Sequence, residues 1–323
     1  MKAAVYIRFG LPENVLQIQD VEKPVPKDDE VLIRVRAASV NPLDSHLMKG
    51  KPFFVRLLLG LHKPKRPGVD VAGEVEAVGR NVTEFKPGDE VFGSCKGAFA
   101  EYVCTAEKAL AMKPENITFE QAAGVPVAAY TALQGLRDKG KIQAGQKILI
   151  NGASGGVGTF AVQIGKWLGA DVTCTCSTRN VDFVRSIGAD RVIDYTQEDF
   201  TGSGQKYDLI FDLVGSRPFS VCRRVLNPRG IYIGAGILGA PDTGLFGMLA
   251  GVIEQFVSSW FVSQKTVMLL AKVNKKDLSI LCELMRAGKV TPVIDKCYSL
   301  SEAPEAVRYL AQKHARGKVV ISI

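Results

Sequence analysis

The residues best placed to do chemistry lie between Lys147 and Gly158, where the chain reads K-I-L-I-N-G-A-S-G-G-V-G. Ile148, Leu149 and Ile150 form a short apolar run of the kind a buried parallel strand carries, and a helical pattern follows from Thr159 to Leu168. Set against G-x-G-x-x-G, Ala153 stands at the first glycine, with Gly155 and Gly158 at the other two. Without Cβ atoms there, the backbone can approach a pyrophosphate and the helix can pack tightly on the strand. The helix N-terminus then offers free N–H groups and a partial positive charge to the anion. Ala153, Ser154, Gly155, Gly156, Val157 and Gly158 are therefore expected to hold a dinucleotide; the alternative is a structural glycine-rich turn.

The end of the second strand decides which dinucleotide. An NAD site usually has Asp or Glu there, accepting from the ribose 2′-hydroxyl. Here V-T-C-T-C ends in Ser177-Thr178-Arg179. Ser177 can donate a hydrogen bond, and the Arg179 guanidinium can meet a 2′-phosphate with charge-assisted bonds. The reading is NADPH over NADH. Against it stands Arg179 as a solvated residue at a helix start.

The elements that must position these groups change character along the chain. From Met1 to about Val125 short strands alternate with turns: Val31, Ile33 and Val35 interleave with Arg34 and Arg36, Val69–Val78 is a second run, and Pro67-Gly68 and Pro87-Gly88 mark turns. This is the profile of a small β-rich domain, a partly closed barrel. Phe53–Leu61, apolar and followed by a basic turn, reads either as a packed helix or as a flap over a pocket. From about Pro126, helices and strands alternate, which implies a parallel sheet with helices on both faces. Val125–Leu136 leads in; Ile148–Ile150, Asp171–Cys176, Arg191–Ile193, Leu209–Leu213 and Gly230–Ala235 are the strands, and Gly188 stops a helix. Thr266–Ala271 reads as a further strand, Lys275–Ala287 as an amphipathic helix, and Lys318–Ile323 as a closing strand. The boundaries expected are residues 1–125 with 273–323 for one domain and 126–272 for the other.

A chain of 323 residues is long enough for two such domains. Its charge of +8 suits an anionic ligand, but the basic residues are scattered and nucleic-acid binding is not expected. Seven cysteines without a C-x-x-C pair suit reduced thiols and a cytoplasmic location, and the first residues run straight into strand-like sequence. Gly244–Val262 carries one charge, Glu254, and nears the length of a membrane span; its glycines, serines and Gln255 favour a buried or cleft-lining helix, with peripheral membrane contact as the alternative.

Taken together, these features resemble the medium-chain dehydrogenase/reductase superfamily, in its zinc-free quinone oxidoreductase and enone reductase branch. The resemblance covers the whole chain and rests on A-A-S-V-N-P-L-D at residues 37–44, G-V-D-V-A-G-E-V at 68–75, K-P-G-D-E-V-F-G at 86–93, V-P-V-A-A-Y-T-A-L at 125–133 and the glycine-rich turn. It implies a doubly wound parallel-sheet (Rossmann) domain beside a GroES-like β-rich, partly closed barrel domain, and a homodimer. It also implies no metal: Asn41 and Val69 stand where zinc-dependent members carry Cys and His, and neither is a credible zinc ligand.

By the same resemblance Asn41 matches an asparagine beside the nicotinamide and Thr131 a threonine near its carboxamide. Tyr195, Ser177, Thr178 and Arg179 match contacts to the 2′-phosphate end. Leu213, Gly234 and Ala235, at strand ends, and Lys318, a basic position near the chain end, complete the expected cofactor contacts. His46 stands where some relatives place a substrate-facing tyrosine, so it is either a polar partner of the substrate or an exposed barrel histidine. The implied reaction is hydride transfer from NADPH to a quinone or an α,β-unsaturated carbonyl, with Asn41 or His46 as hydrogen-bond donors. Rival readings are a zinc-type alcohol dehydrogenase-like activity on simple carbonyls and a non-catalytic NADPH-binding module. Replacing Arg179 with Ala is expected to raise KM for NADPH far more than KM for NADH in steady-state kinetics; equal effects would remove the argument for NADPH.

Overall fold

The computed structural model describes residues 1–50, 65–235, 263–312 and 314–323, so Phe53–Leu61 and Gly244–Val262 lie outside it. The chain divides into two compact units, Met1–Tyr130 with Lys272–Ile323 and Thr131–Ala271.

In the first unit, strands β1 (Lys2–Val5) and β2 (Gln17–Asp20) form a small antiparallel pair. The main sheet is built on β3 (Glu30–Val40), whose residues Val31, Ile33 and Val35 are buried while Arg34 and Arg36 face water. β4 (Asp70–Val78), β5 (Glu90–Ser94), β6 (Tyr102–Ala106) and β7 (Leu110–Met112) complete its N-terminal part. The first half of β3 pairs with β6 and its last residues pair with the C-terminal strand, both alongside β4, so the sheet branches instead of running flat. Helix α1 (Pro42–Lys49) follows β3 directly, with Pro42 at its first position and Gly50 closing it at φ 59°.

Helix α2 (Pro126–Leu133) runs on into a π-helical stretch, Gln134–Lys139, where the N–H of Gly140 reaches back to the Gly135 carbonyl at 2.8 Å. The regular helix expected to Leu136 widens there. A Cβ at Gly135 would sit 2.8 Å from the Phe211 ring, so the backbone itself lies against that ring.

The second unit is a six-stranded parallel sheet. Its strands are β8 (Lys147–Asn151), β9 (Asp171–Cys176), β10 (Arg191–Asp194), β11 (Tyr207–Asp212), β12 (Leu226–Gly234) and β13 (Lys265–Met268). Their order is β10-β9-β8-β11-β12-β13. From β8 the chain builds outward on one side through β9 and β10, then returns to build through β11, β12 and β13 on the other. That reversal is the switch point at which open parallel sheets bind ligands, beyond the carboxyl ends of their strands. β8, β9 and β11 are buried along nearly their whole length, which explains the unbroken apolar runs of β8 and β11, while β9 buries Thr173 and Thr175 among its apolar residues. Helix α3 (Gly156–Trp167) follows β8, and α4 (Val181–Ser186) follows β9, ending at Ile187 and Gly188 with Gly188 at φ 110°.

The chain then returns to the first unit. Helix α5 (Lys275–Arg286) buries Leu278, Leu281, Cys282, Leu284 and Met285 along one face, capped by the Asn274 side chain. β14 (Ile294–Ser299), helix α6 (Ala303–Ala311) and β15 (Lys318–Ser322) follow. β15 lies antiparallel to β3 with Val319 opposite Val40, and Val307, Val319 and Ile321 join Ile33, Val35, Val71 and Phe99 in one core. None of the seven cysteines is in a disulfide.

The glycines after β8 do different work. A Cβ at Gly158 would lie 2.3 Å from the Gly152 carbonyl oxygen and 2.6 Å from that of Ala153, whereas one at Gly155 would meet only the Gly152 oxygen, at an ordinary 3.7 Å. Gly158→Ala is accordingly expected to cost about 1–3 kcal/mol of unfolding free energy in urea titrations, and Gly155→Ala to stay within about 0.5 kcal/mol of the parent. Equal losses would contradict this division of roles.

Candidate functional site

In the second unit the expected cofactor contacts gather at the carboxyl edge of the sheet. Register sets Asn151 of β8 opposite Thr175 of β9 and Asp212 of β11, Asp212 opposite Gly234 of β12, and Cys176 opposite Asp194 of β10. Ala153 to Gly158 thus leave the sheet beside Ser177, Leu213 and Ala235. Three backbone bonds fasten this edge: Ala153 N–H to the Thr175 carbonyl at 3.1 Å, Leu213 N–H to Asn151 at 3.1 Å, and Ala235 N–H to Asp212 at 2.9 Å. The turn residue is Gly152, at φ 93°, one position ahead of the motif's first glycine.

Gly155 caps α3 in an extended conformation without a side-chain bond, so the first N–H groups of the helix lack intrahelical partners and point past it. The open space at Gly155 is the cradle that a Cβ would begin to fill. A bare turn at a helix N-terminus fits a pyrophosphate.

At the next strand end, Ser177 precedes a short helical turn over Thr178–Asn180. The buried Asn180 amide donates to Ser154 Oγ at 3.2 Å and Ser177 Oγ at 3.3 Å, tying the glycine-rich turn to the end of β9. Tyr195 follows β10; its N–H donates to the Cys176 carbonyl at 3.0 Å and its side chain is 62% exposed. Thr178, Arg179 and Tyr195 are thus exposed at one corner. A carboxylate also lies there: Asp194, held below its usual range first by a hydrogen bond from Thr178, also accepts from the Thr196 hydroxyl at 2.8 Å.

In the first unit the sequence had singled out Asn41, His46 and Lys318. Asn41 and Lys318 meet in a buried polar cluster that also holds Ser39, Asp44 and Asp70. The Lys318 ammonium donates to Asn41 Oδ1 at 2.8 Å, with the Val40 carbonyl at 3.4 Å and Asp70 Oδ2 at 3.6 Å. Asn41 Nδ2 and the Ser39 hydroxyl each donate to Asp70 Oδ2 at 2.8 Å, and the Val127 N–H, in the first turn of α2, donates to Oδ1 at 3.1 Å. A helix N-terminus therefore helps hold the Asp70 charge. Since an ammonium only donates and a carboxylate accepts, the Asn41 amide has one orientation open to it.

Asp44 accepts from the Asn41 N–H at 2.8 Å and from the Gly68 N–H at 2.9 Å. Burial pushes its carboxyl up to about 6, against the pull of those two bonds. Burial likewise lowers the Lys318 ammonium, with Asp70 and Asp44 opposing. His46 is half-buried on α1, and Thr131 half-buried on α2. Lys318, expected among the cofactor contacts, has its ammonium committed inside this cluster. Asp44, Asp70, Gly152 and Asn180 were not foreseen; for Asp70 the available signal was a carboxylate inside the apolar run G-V-D-V-A.

Comparison with known proteins bears on both halves. Residues 27–115 match the alcohol dehydrogenase GroES-like domain, and residues 187–321 match a family described as zinc-binding dehydrogenase. The chain is 37% identical over 336 residues to the chloroplastic quinone-oxidoreductase QR1 of Triphysaria versicolor, covering 99% of this chain and 98% of that one. It is 35% identical over 335 residues to a chloroplastic NADPH-dependent alkenal/one oxidoreductase of Arabidopsis thaliana, covering 99% and 79%. The solved quinone oxidoreductase from Coxiella burnetii superposes with a TM-score of 0.87 at 31% identity, covering 100% of this chain and 99% of that one.

The residues around Asn41 do not fit the zinc in the second family's description. Among the described residues no three His, Cys, Asp or Glu side chains converge as a metal site, and a lysine ammonium already faces Asn41 and Asp70. Among the described residues no helix is long and apolar enough to cross a membrane.

Because Lys318 is the cation of this buried cluster, Lys318→Met is expected to lower unfolding free energy by about 3–5 kcal/mol in urea titrations. Lys2→Met, which removes an exposed pair with Asp20, is expected to cost less than about 1 kcal/mol. Similar small losses for both would mean that the buried cation is dispensable.

Proposed function

This chain belongs to the quinone oxidoreductase branch of the medium-chain dehydrogenase/reductase superfamily, and on that premise we propose that it is an NADPH-dependent, zinc-independent reductase of a quinone or an α,β-unsaturated carbonyl. That it is an oxidoreductase with a nicotinamide cofactor follows from the family; the phosphorylated cofactor, the acceptor class and the absence of zinc are the proposal. One observation carries it. The carboxyl edge of the parallel sheet joins a bare glycine turn and a helix N-terminus to Ser177-Thr178-Arg179, where a carboxylate for an unphosphorylated ribose would stand.

Gly152 to Gly158 would hold the pyrophosphate, with Leu213, Gly234 and Ala235 along the same edge, and Ser177, Thr178, Arg179 and Tyr195 would hold the 2′-phosphate end. The reduced nicotinamide, when bound, supplies a hydride. The chain's own residues bind, orient and donate. Asn41 is proposed as the donor to the acceptor oxygen: its amide is oriented by Lys318 and Asp70, and among the described residues its second N–H has only a long contact, 3.4 Å, to the Ser39 carbonyl. Lys318 then acts by positioning Asn41. Thr131 remains proposed near the carboxamide, and His46 as a second donor or proton source.

The acceptor class is supported by two relatives named for quinones and for alkenals and enones. Zinc independence is supported by the donor set around Asn41. The first unit is proposed as the substrate domain and the second as the dinucleotide-binding domain. A homodimer and a cytosol-like compartment belong to the same proposal, although the two named relatives are chloroplastic.

The test is the loss of NADPH absorbance on mixing with a panel of quinones and enones, with and without a chelator. Turnover with at least one acceptor, unchanged by the chelator, is expected. Silence across the panel with nucleotide bound would favour a non-catalytic module, and dependence on added zinc would refute the metal-free assignment.

A further inference from the structure

Beneath the carboxyl edge of the second unit's sheet lies a chain of buried side chains with no part in the reading above. Its hydrogen bonds all run one way. The Gly152 N–H donates to Thr175 Oγ1 at 3.2 Å, the Thr175 hydroxyl to Asn151 Oδ1 at 2.6 Å, and Asn151 Nδ2 to Asp212 Oδ1 at 2.9 Å. The Asp212 carboxylate collects three further donors: the Val214 N–H at 2.9 Å and the Gly215 N–H at 2.8 Å on the same oxygen, and the Tyr232 hydroxyl at 2.7 Å on the other. Four adjacent strands, β9, β8, β11 and β12, are joined in this way. Thr175, Asn151, Asp212 and Tyr232 are each no more than 5% exposed.

These partners all donate, as a carboxylate requires, and none of the four groups that meet it is cationic. A buried charge is expensive, and an amide could bridge the same strand ends with less desolvation. Its place in the strand order suggests what the charge does. From the pyrophosphate turn at β8, the 2′-phosphate end of the ligand runs toward β9 and β10, where Ser177, Arg179 and Tyr195 lie. The nicotinamide half must then run the other way, over β11 and β12.

We propose that Asp212 is an electrostatic positioning residue for the nicotinamide half of the site, its fixed negative charge favouring the oxidised, cationic ring over the reduced, neutral one. The inference rests on the NADPH reading above. It separates charge from architecture, because a purely structural network would affect both redox forms alike.

Calorimetric titration of the whole chain with NADPH, NADP⁺ and 2′,5′-ADP tests it. In Asp212→Asn the ratio of the NADP⁺ to the NADPH dissociation constant is expected to rise about tenfold, the order expected for two unit charges roughly 10 Å apart at an effective dielectric constant of about 20. Affinity for 2′,5′-ADP, which lacks the nicotinamide, should be unchanged. Tyr232→Phe keeps the charge and removes one of its donors, so the ratio should move the opposite way, by about twofold. This second variant decides the matter alone if the first fails to fold. Equal weakening of NADPH and NADP⁺ in either variant, or no change in ratio, overturns the role of Asp212 and leaves the NADPH reading standing. Failure of the unaltered chain to bind either nucleotide overturns both.

Discussion

The first unit turns on the Lys318 ammonium, held inside the protein between Asn41 and Asp70. A buried ion is tolerated only when its partners are close and their remaining hydrogen-bonding capacity is used. Here the ammonium meets the Asn41 side-chain amide oxygen and faces Asp70, and Asp70 is in turn met by Ser39, Asn41 and the first turn of α2. Lys318 and Asn41 are 277 residues apart in sequence. The antiparallel pairing of Val319 with Val40 is what brings them together. The end of the chain therefore sets the orientation of an amide at its beginning, and the core that seats β15 supports the same geometry.

The second unit manages charge differently. Its proposed pyrophosphate turn is made of backbone, and each glycine there has a separate cause. Gly152 takes the left-handed turn, Gly158 makes room for the carbonyls of Gly152 and Ala153, and Gly155 leaves the surface bare where nothing inside the unit requires it. Below it, the side chains of Thr175, Asn151, Asp212 and Tyr232 lace the ends of four adjacent strands together.

Much of this fold was legible because its signals are local. Among the buried parallel strands β8 and β11 carry apolar runs, and Lys275–Arg286 shows its apolar face at helical spacing. β14 was missed: in Ile294–Ser299 every residue is partly or fully exposed, so no apolar alternation marks it. Helix α6 went unread for another reason, since its buried face is little more than Ala303, Ala306 and Val307. In the candidate site, the glycine-rich turn could be read from spacing, while the positive-φ residue is Gly152, one position ahead of the motif. The polar lacing could not be read at all. Its members are joined across sequence separations of 24, 61 and 20 residues, and only the parallel register aligns them. Asp70 poses the same difficulty, because a carboxylate in an apolar run announces burial without naming its partner.

The cluster around Asn41 also limits what reaction the proposed reading can support. A catalytic divalent metal polarises a carbonyl directly, contributing several kcal/mol of charge stabilisation. In this chain the positive charge near Asn41 is a tethered ammonium, faced by Asp70 and engaged with the amide oxygen, so it is already largely compensated. On the proposed reading, what Asn41 offers an incoming acceptor is an oriented N–H, a donor of modest strength. Such a site cannot activate a saturated carbonyl as a metal would. It suits acceptors whose own conjugation already draws in electrons, and that physical limit, independently of any relative's name, argues for quinones and enones over simple aldehydes and ketones.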